Sequence, residues 1–285
     1  MSTQVPRLLA GLVDDAAVFP PGSASLPDAV TAHHEHRASW YADLVGPLLV
    51  PASAVAAGAL TGLAEGFPVG LIGDTGIAGL PAALSGLDAA GIGVRQVEVA
   101  VARRGEDPQP GLAELGELVT RHGDLAWYAE LPLTFGLTAG LDTLAGARAA
   151  GVPIAAKFRT GGLAAELFPT PVELAAVICA CRDRDLPFKL TAGLHHAVRH
   201  LDPETGFTHH GFGNVLAATL AAADGAEVDA VAVLLADTDA VRLVEPARAA
   251  RDADRPLWVG FGSCSVREPL TDLIRLGLVN GGFDR

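Results

Sequence analysis

Two lysines, Lys157 in IAAKFRTGG and Lys189 in PFKLTAGLHH, are the only lysines among 20 basic residues in a chain of 285; the other 18 are Arg. Both sit in apolar, strand-like surroundings. A lysine there is costly to bury charged, and a second ammonium nearby raises the cost. Both effects push one pKa down and leave a neutral amine near pH 7. A neutral amine attacks a carbonyl carbon and forms a Schiff base. Arginine stays protonated and cannot, so an Arg-rich chain has a chemical reason to keep lysine at two positions. The structural alternative is that the lysines pair with Glu98 and Glu130 in a core, or grip a carboxylate.

Other residues complete possible sites around this pair. Arg159 lies two residues after Lys157, on the same face of an extended strand. There it either clamps a carboxylate or phosphate or pairs with Glu130. The stretch GFGSCSVREPL, 260–270, contributes Gly262, Ser263 and Ser265. Ser265 and Glu268 have capping-box spacing, and the start of a helix there is an anion site. The stretch GLHHAVRH contributes Gly193 and His195 as substrate contacts. His195 and His196, joined by His209 and His210 from FTHHGFGN, keep a metal site open as an alternative, although their spacing matches no zinc signature. In HHEHR, 33–37, His33 and His36 read as a solvated helix face. Cys179 and Cys181 read as packing residues of a helix. Cys264 lies near the site without an assignable partner.

The elements that must position these residues follow from short apolar runs alternating with helical segments. Strands are expected near 15–19, 45–50, 69–73, 95–101, 125–131, 154–159, 187–192 and 256–262. Buried runs of this kind, spaced by helices, indicate a parallel sheet. Eight of them indicate a single (β/α)8 TIM barrel across 1–285; a doubly wound open sheet is the runner-up. The stretch 195–255 is long for one crossover and reads as a helical insertion before the last strand, with AEVDAVAVLLADTDAVRL as helix or an additional strand. Thr170, Pro171 and Glu173 mark a helix start with a capping box. In a barrel, catalytic groups are expected at the C-terminal ends of the strands.

Half the residues are hydrophobic, yet apolar runs are broken well short of the ~20 residues of a membrane span, and no signal peptide is read at the N-terminus. The formal net charge of −13 argues against nucleic acid. Three cysteines form neither a metal spacing nor an even disulfide set. The expectation is a cytoplasmic protein acting on a small molecule, away from membranes, with a homo-oligomer possible.

Strand by strand, the motifs resemble the class I (Schiff-base) aldolases of the deoxyribose-phosphate aldolase type. LVDDAAVFPP, PLLVPASAV, RQVEVAV, WYAELPL, AAKFRTGG, FKLTAGL and WVGFGSCS stand in order where that family has its strand motifs, over residues 12–265. The resemblance implies a Schiff base on Lys157 and a pKa-lowering role for Lys189. It implies an acid at Glu98, a further carboxylate at Glu130, and phosphate held by Gly262, Ser263 and Ser265. Glu98 stands where the family has Asp, and DDA replaces its DHT. The expected activity is a lyase on a small carbonyl compound with an anionic group. Lys157 is its nucleophile, Glu98 moves protons with Asp14 or Glu130, and no cofactor or metal is required. Two alternatives stay open: a metal-dependent hydrolase or isomerase using His195, His196, His209 and His210, and a non-catalytic anion-binding barrel.

Overall fold

The computed structural model describes residues 5–60, 63 and 67–281. Its strands are β1 (Val13–Asp15), β2 (Val45–Pro51), β3 (Val69–Ile72), β4 (Val94–Ala100), β5 (Ala126–Glu130), β6 (Ile154–Arg159), β7 (Phe188–Thr191), β8 (His200–Leu201), β9 (Thr208–His209) and β10 (Trp258–Ser263). Its helices are α1 (Leu26–Ala38), α2 (Ala52–Ala56), α3 (Leu80–Ala89), α4 (Gln109–Arg121), α5 (Leu137–Ala149), α6 (Pro171–Arg182), α7 (Phe212–Ala223), α8 (Val228–Ala236), α9 (Ala240–Ala249) and α10 (Arg267–Arg275). Strands β1–β7 and β10 close into a barrel with every neighbouring pair parallel. The expected TIM barrel is therefore the observed fold. The open sheet is excluded because β1 pairs with both β2 and β10.

Strand alternation sorts the side chains. In β6, Ala156 and Phe158 turn to the helix layer while Lys157 and Arg159 share the opposite face. Helix α6 shows how the outer ring is built. Thr170 and Glu173 form a reciprocal capping box, and Pro171 occupies the first turn. Its buried stripe of Leu174, Ala175, Val177, Ile178 and Cys181 recurs at helical spacing. Cys179 and Cys181 are packing residues, as expected.

The barrel interior is unusual. Such interiors are ordinarily filled by layers of branched aliphatic residues. Here Asp14, Gln96, Glu98, Lys157 and Lys189 are buried in it. Glycines on neighbouring strands make room for these side chains. A Cβ at Gly46 would overlap the carboxylate of Asp14, and one at Gly70 would collide with Leu49 and Gln96.

Several expectations are corrected. The first strand is Val13–Asp15, not 15–19. A turn follows directly, with Phe19 N donating to Ala16 O, and Asp14 lies within the strand. The stretch 195–255 carries the antiparallel hairpin β8–β9 before its helices. The segment left open between helix and strand forms α8 and α9; α8 packs on α6 and α7, and α9 packs on α7. His33 and His36 are buried rather than solvated. His33 Nδ1 lies 3.0 Å from Asp15 Oδ2, and His36 Nδ1 lies 2.9 Å from Tyr41 Oη. Apolar contact with the barrel selects that helix face, which the polar sequence HHEHR conceals. Among the described residues, no helix is long and apolar enough to cross a membrane.

Candidate active site

Lys157 and Lys189 are paired in register across β6 and β7. Two residues per period bring Gln96 and Glu98 of β4, and Tyr128 and Glu130 of β5, to the same inner face. Lys157 Nζ lies 3.0 Å from Glu98 Oε2 and 2.9 Å from Glu130 Oε2. Lys189 Nζ donates to Glu98 Oε1 at 2.6 Å and also to Asp14 Oδ2. Gln96 Nε2 donates to Asp14 Oδ2 at 2.6 Å and to Glu98 Oε1 at 2.8 Å. Arg159 Nε donates to Glu130 Oε1 at 3.2 Å. Three cations and three carboxylates thus alternate without a break: Asp14, Lys189, Glu98, Lys157, Glu130, Arg159.

Burial is nearly complete at the centre: Glu98 and Lys189 are each 1% exposed and Lys157 is 4% exposed. Buried charges of this kind persist because each is paired and hydrogen-bonded. The electrostatics reverse the expectation of a depressed lysine. Burial pulls the Lys157 ammonium down, but Glu130 and then Glu98 outweigh it, so its pKa stands above the ordinary lysine value. Burial acts likewise on Lys189, and Asp14 and Glu98 again overcome it, raising its pKa. The second ammonium is outweighed by the carboxylates between the two lysines; the pairing with Glu98 and Glu130, set out from the sequence as the structural alternative, is the one present. Burial pushes Glu98 up, yet Lys189 and Lys157 hold it down to about 2. Glu130 is also lowered, its burial being outweighed by Lys157 and Arg159. For Asp14 burial prevails over Lys189, and its pKa is raised.

The two ends of the barrel differ. At the C-terminal end, Glu130 and Arg159 line a small cavity of about 170 Å³, together with Arg104 and Glu173. The Arg159 side chain is 43% exposed, and its Nη groups have no hydrogen-bond partner among the described residues. Lys189, by contrast, is the second residue of β7 and faces the N-terminal mouth, away from the end where catalytic groups were expected.

The remaining expected residues gather above β7 and β10. His195 Nδ1 lies 3.0 Å from Glu268 Oε2, and Cys264 Sγ lies 3.7 Å from the same nitrogen. Ser263 Oγ donates to Ser265 O, and Ser265 Oγ accepts from Glu268 N at 3.2 Å; this is one half of the expected capping box, since the Glu268 carboxylate faces His195 and α10 begins after Val266 without a side-chain cap. Both hydroxyls are thus engaged within the protein. Gly193 adopts φ +79° and packs against Gly161. Glycine suits this left-handed backbone beside a close chain crossing. The four histidines of the metal alternative do not converge on one point. His196 faces Asp272, His209 faces Gly193 O, and His210 Nε2 bonds Pro169 O. Among the described residues no three His, Cys, Asp or Glu side chains are grouped to hold a metal ion.

Sequence reasoning missed Gln96 and Tyr128. The available signal was alternation: each lies two residues before a carboxylate already singled out, Glu98 and Glu130.

No protein-family model matches this sequence, and a search of curated proteins finds no match. Among solved structures, a lysine/ornithine decarboxylase from Vibrio vulnificus, complexed with cadaverine, aligns over 90% of this chain and 57% of its own length. The identity is 12% and the TM-score 0.44. A likeness this remote carries no argument about chemistry, and the barrel stands on its own strand pairing.

Proposed function

We propose that this protein is a lysine-dependent lyase that acts through a Schiff base on a small carbonyl compound carrying a carboxylate or phosphate. The observation that carries the reading is the close ion-pair contact of Lys157 with two carboxylates inside a barrel, the outer one, Glu130, reaching the C-terminal cavity.

The contact supplies what a protonated resting lysine needs. As a carbonyl approaches, the Lys157 proton passes to Glu130, and the freed amine attacks the carbonyl carbon. Loss of water then leaves an iminium on Nζ. Glu98 faces that nitrogen and balances the iminium charge as it balanced the ammonium. Breaking the adjacent C–C bond sends its electron pair into the iminium, and the departing hydroxyl proton goes to a carboxylate. Arg159, with free Nη groups at the cavity, grips the anionic end of the substrate.

Lys189 keeps Glu98 ionised and so supports the site indirectly. Glu98, held at about 2, serves as a fixed charge, and Glu130, nearer the mouth, is the better proton acceptor. The anion-binding alternative is weaker on this geometry. Each lysine already has two carboxylate partners, which leaves little field for a further anion.

The test is borohydride trapping with small aldehydes, ketones and sugar phosphates, read by intact mass and peptide mapping. The expected result is an adduct on Lys157 that disappears in a folded Lys157→Arg variant. An adduct confined to Lys189 or the N-terminal amine, or none across the panel, would overturn the proposal.

A further inference from the structure

The larger opening of this barrel is at its other end. A cavity of about 990 Å³ enters from the N-terminal side of the strands and reaches Lys189, Asp14, Gln96 and Tyr128 at its floor. That is the size of a small-molecule site, on a face where barrels ordinarily carry only stabilising contacts. Among the described residues no layer of branched aliphatic side chains fills it, although Val5 and Val45 lie on its lining. Gly46 and Gly260 lie on the facing strands, and the floor is polar.

Three lining groups offer the cavity polar atoms that no protein group engages among the described residues. Tyr128 is 6% exposed, and its hydroxyl has no hydrogen bond among the described residues; the ring instead faces Lys189 Nζ at 4.8 Å. Gln96 is buried and spends its Nε2 on Asp14 and Glu98, while its Oε1 accepts nothing among the described residues. Arg95, exposed at the start of β4, makes no ion pair or hydrogen bond among the described residues. Two other cations of the mouth are engaged, Arg7 with Asp254 and Arg37 with the carbonyls of Ala42 and Val45, while Arg251 makes a 3.6 Å contact with its neighbour Asp252. Arg95 precedes Gln96, and Gln96 lies on the strand beside Tyr128. Alternation turns Arg95 to the other face of β4 from Gln96, but at the start of the strand it still lines the same mouth, where its charge bears on Tyr128.

We infer that this cavity is a second ligand site, separate from the C-terminal one, for a small hydroxylated carboxylate or phosphate. Its anionic group meets Arg95, and its hydroxyls bond Gln96 Oε1 and Tyr128 Oη. Asp43, also on the lining, disfavours a ligand of high negative charge at the far rim, which limits the anion to one end of the molecule. A ligand seated on this floor touches Lys189 and Asp14 and is two carboxylate–ammonium contacts away from Lys157. Occupancy at one mouth therefore bears on the charge state of the other. The site does not depend on the lyase reading, because none of its three contact groups takes part in Schiff-base chemistry.

Calorimetric titration with glycerol 3-phosphate and with glycerate tests it, with inorganic phosphate as the probe that carries the charge without carbon-borne hydroxyls. The protein used is the full chain, as wild type, Arg95→Ala, Tyr128→Phe and Lys157→Arg. Saturable binding of at least one hydroxylated probe is expected, tighter than that of phosphate. Arg95→Ala should weaken it about tenfold, the loss of one charge-assisted hydrogen bond, and Tyr128→Phe should weaken it several-fold. Lys157→Arg should bind as wild type does, so a failure of the lyase proposal leaves this result readable. Absence of binding by both hydroxylated probes, or equal affinity in wild type, Arg95→Ala and Tyr128→Phe, would overturn the inference. Arg95 is exposed and Tyr128→Phe is nearly isosteric, so both variants should fold; matched thermal unfolding of the two would verify it.

Discussion

Lys157 and Lys189 share one carboxylate: Glu98 accepts from Lys157 on Oε2 at 3.0 Å and from Lys189 on Oε1 at 2.6 Å. The two ammoniums are neighbours because β6 and β7 pair them in register, and they tolerate each other because Glu98 stands between them. The single acid on β4 therefore does two things. It offsets the desolvation of both lysines, and it links Lys189 on the N-terminal cavity to Lys157, whose other partner, Glu130, lines the C-terminal one.

Removing that acid should be expensive. Glu98→Gln leaves two buried ammoniums with one carboxylate each, and breaking a buried pair from one side costs about 3–5 kcal/mol. Urea denaturation of the variant should show a loss of that order. A change below 1 kcal/mol would mean that water or a shift of Glu130 compensates.

Glu130 does more than Glu98 to hold Lys157 protonated. Glu130→Gln should therefore lower the Lys157 pKa and move the pH profile of borohydride trapping toward lower pH. It should also reduce the maximal rate of trapping, because the proton acceptor is lost. An unmoved profile would remove Glu130 from the proposed chemistry.

The depressed Glu98 pKa has a consequence for acid stability. Its folded value of about 2 lies below the ordinary 4.5, so its contribution is complete above the unfolded pKa and is lost as pH falls through about 2. Asp14, raised by burial, pulls the opposite way as pH falls. The Glu98 contribution is thus read as the difference between wild type and Glu98→Gln. Between neutral pH and pH about 3 the wild type should lose more stability than the variant, by equilibrium unfolding followed against pH. Parallel curves would contradict the buried pairing.

The barrel was legible in the sequence because its cause is local. Buried runs such as IAAKFR mark strands wherever the chain is later placed, and the observed bounds of β6, 154–159, coincide with the expected ones. The first strand was displaced because Val13–Asp15 is short and two-thirds Asp, a composition that reads as loop until a partner pays the desolvation. The buried His33 and His36 were read as solvated for the same reason. Their partners, Asp15 and Tyr41, lie outside the motif that contains them.

From the sequence alone came the choice of lysine over arginine at 157 and 189, the strands that carry them, and the alternation that turns them to one face. Tertiary structure decided their charge. Closing eight strands into a ring brought Asp14, Glu98 and Glu130, from three separate strands, within hydrogen-bonding distance of the two ammoniums, and this raised pKa values that local burial alone would have lowered. It also decided which mouth is open, since the N-terminal cavity exists only where side chains from opposite sides of the ring fail to fill its centre. Strand position and facing are set within a few residues of backbone, whereas protonation and cavity shape depend on which side chains the closed ring brings together.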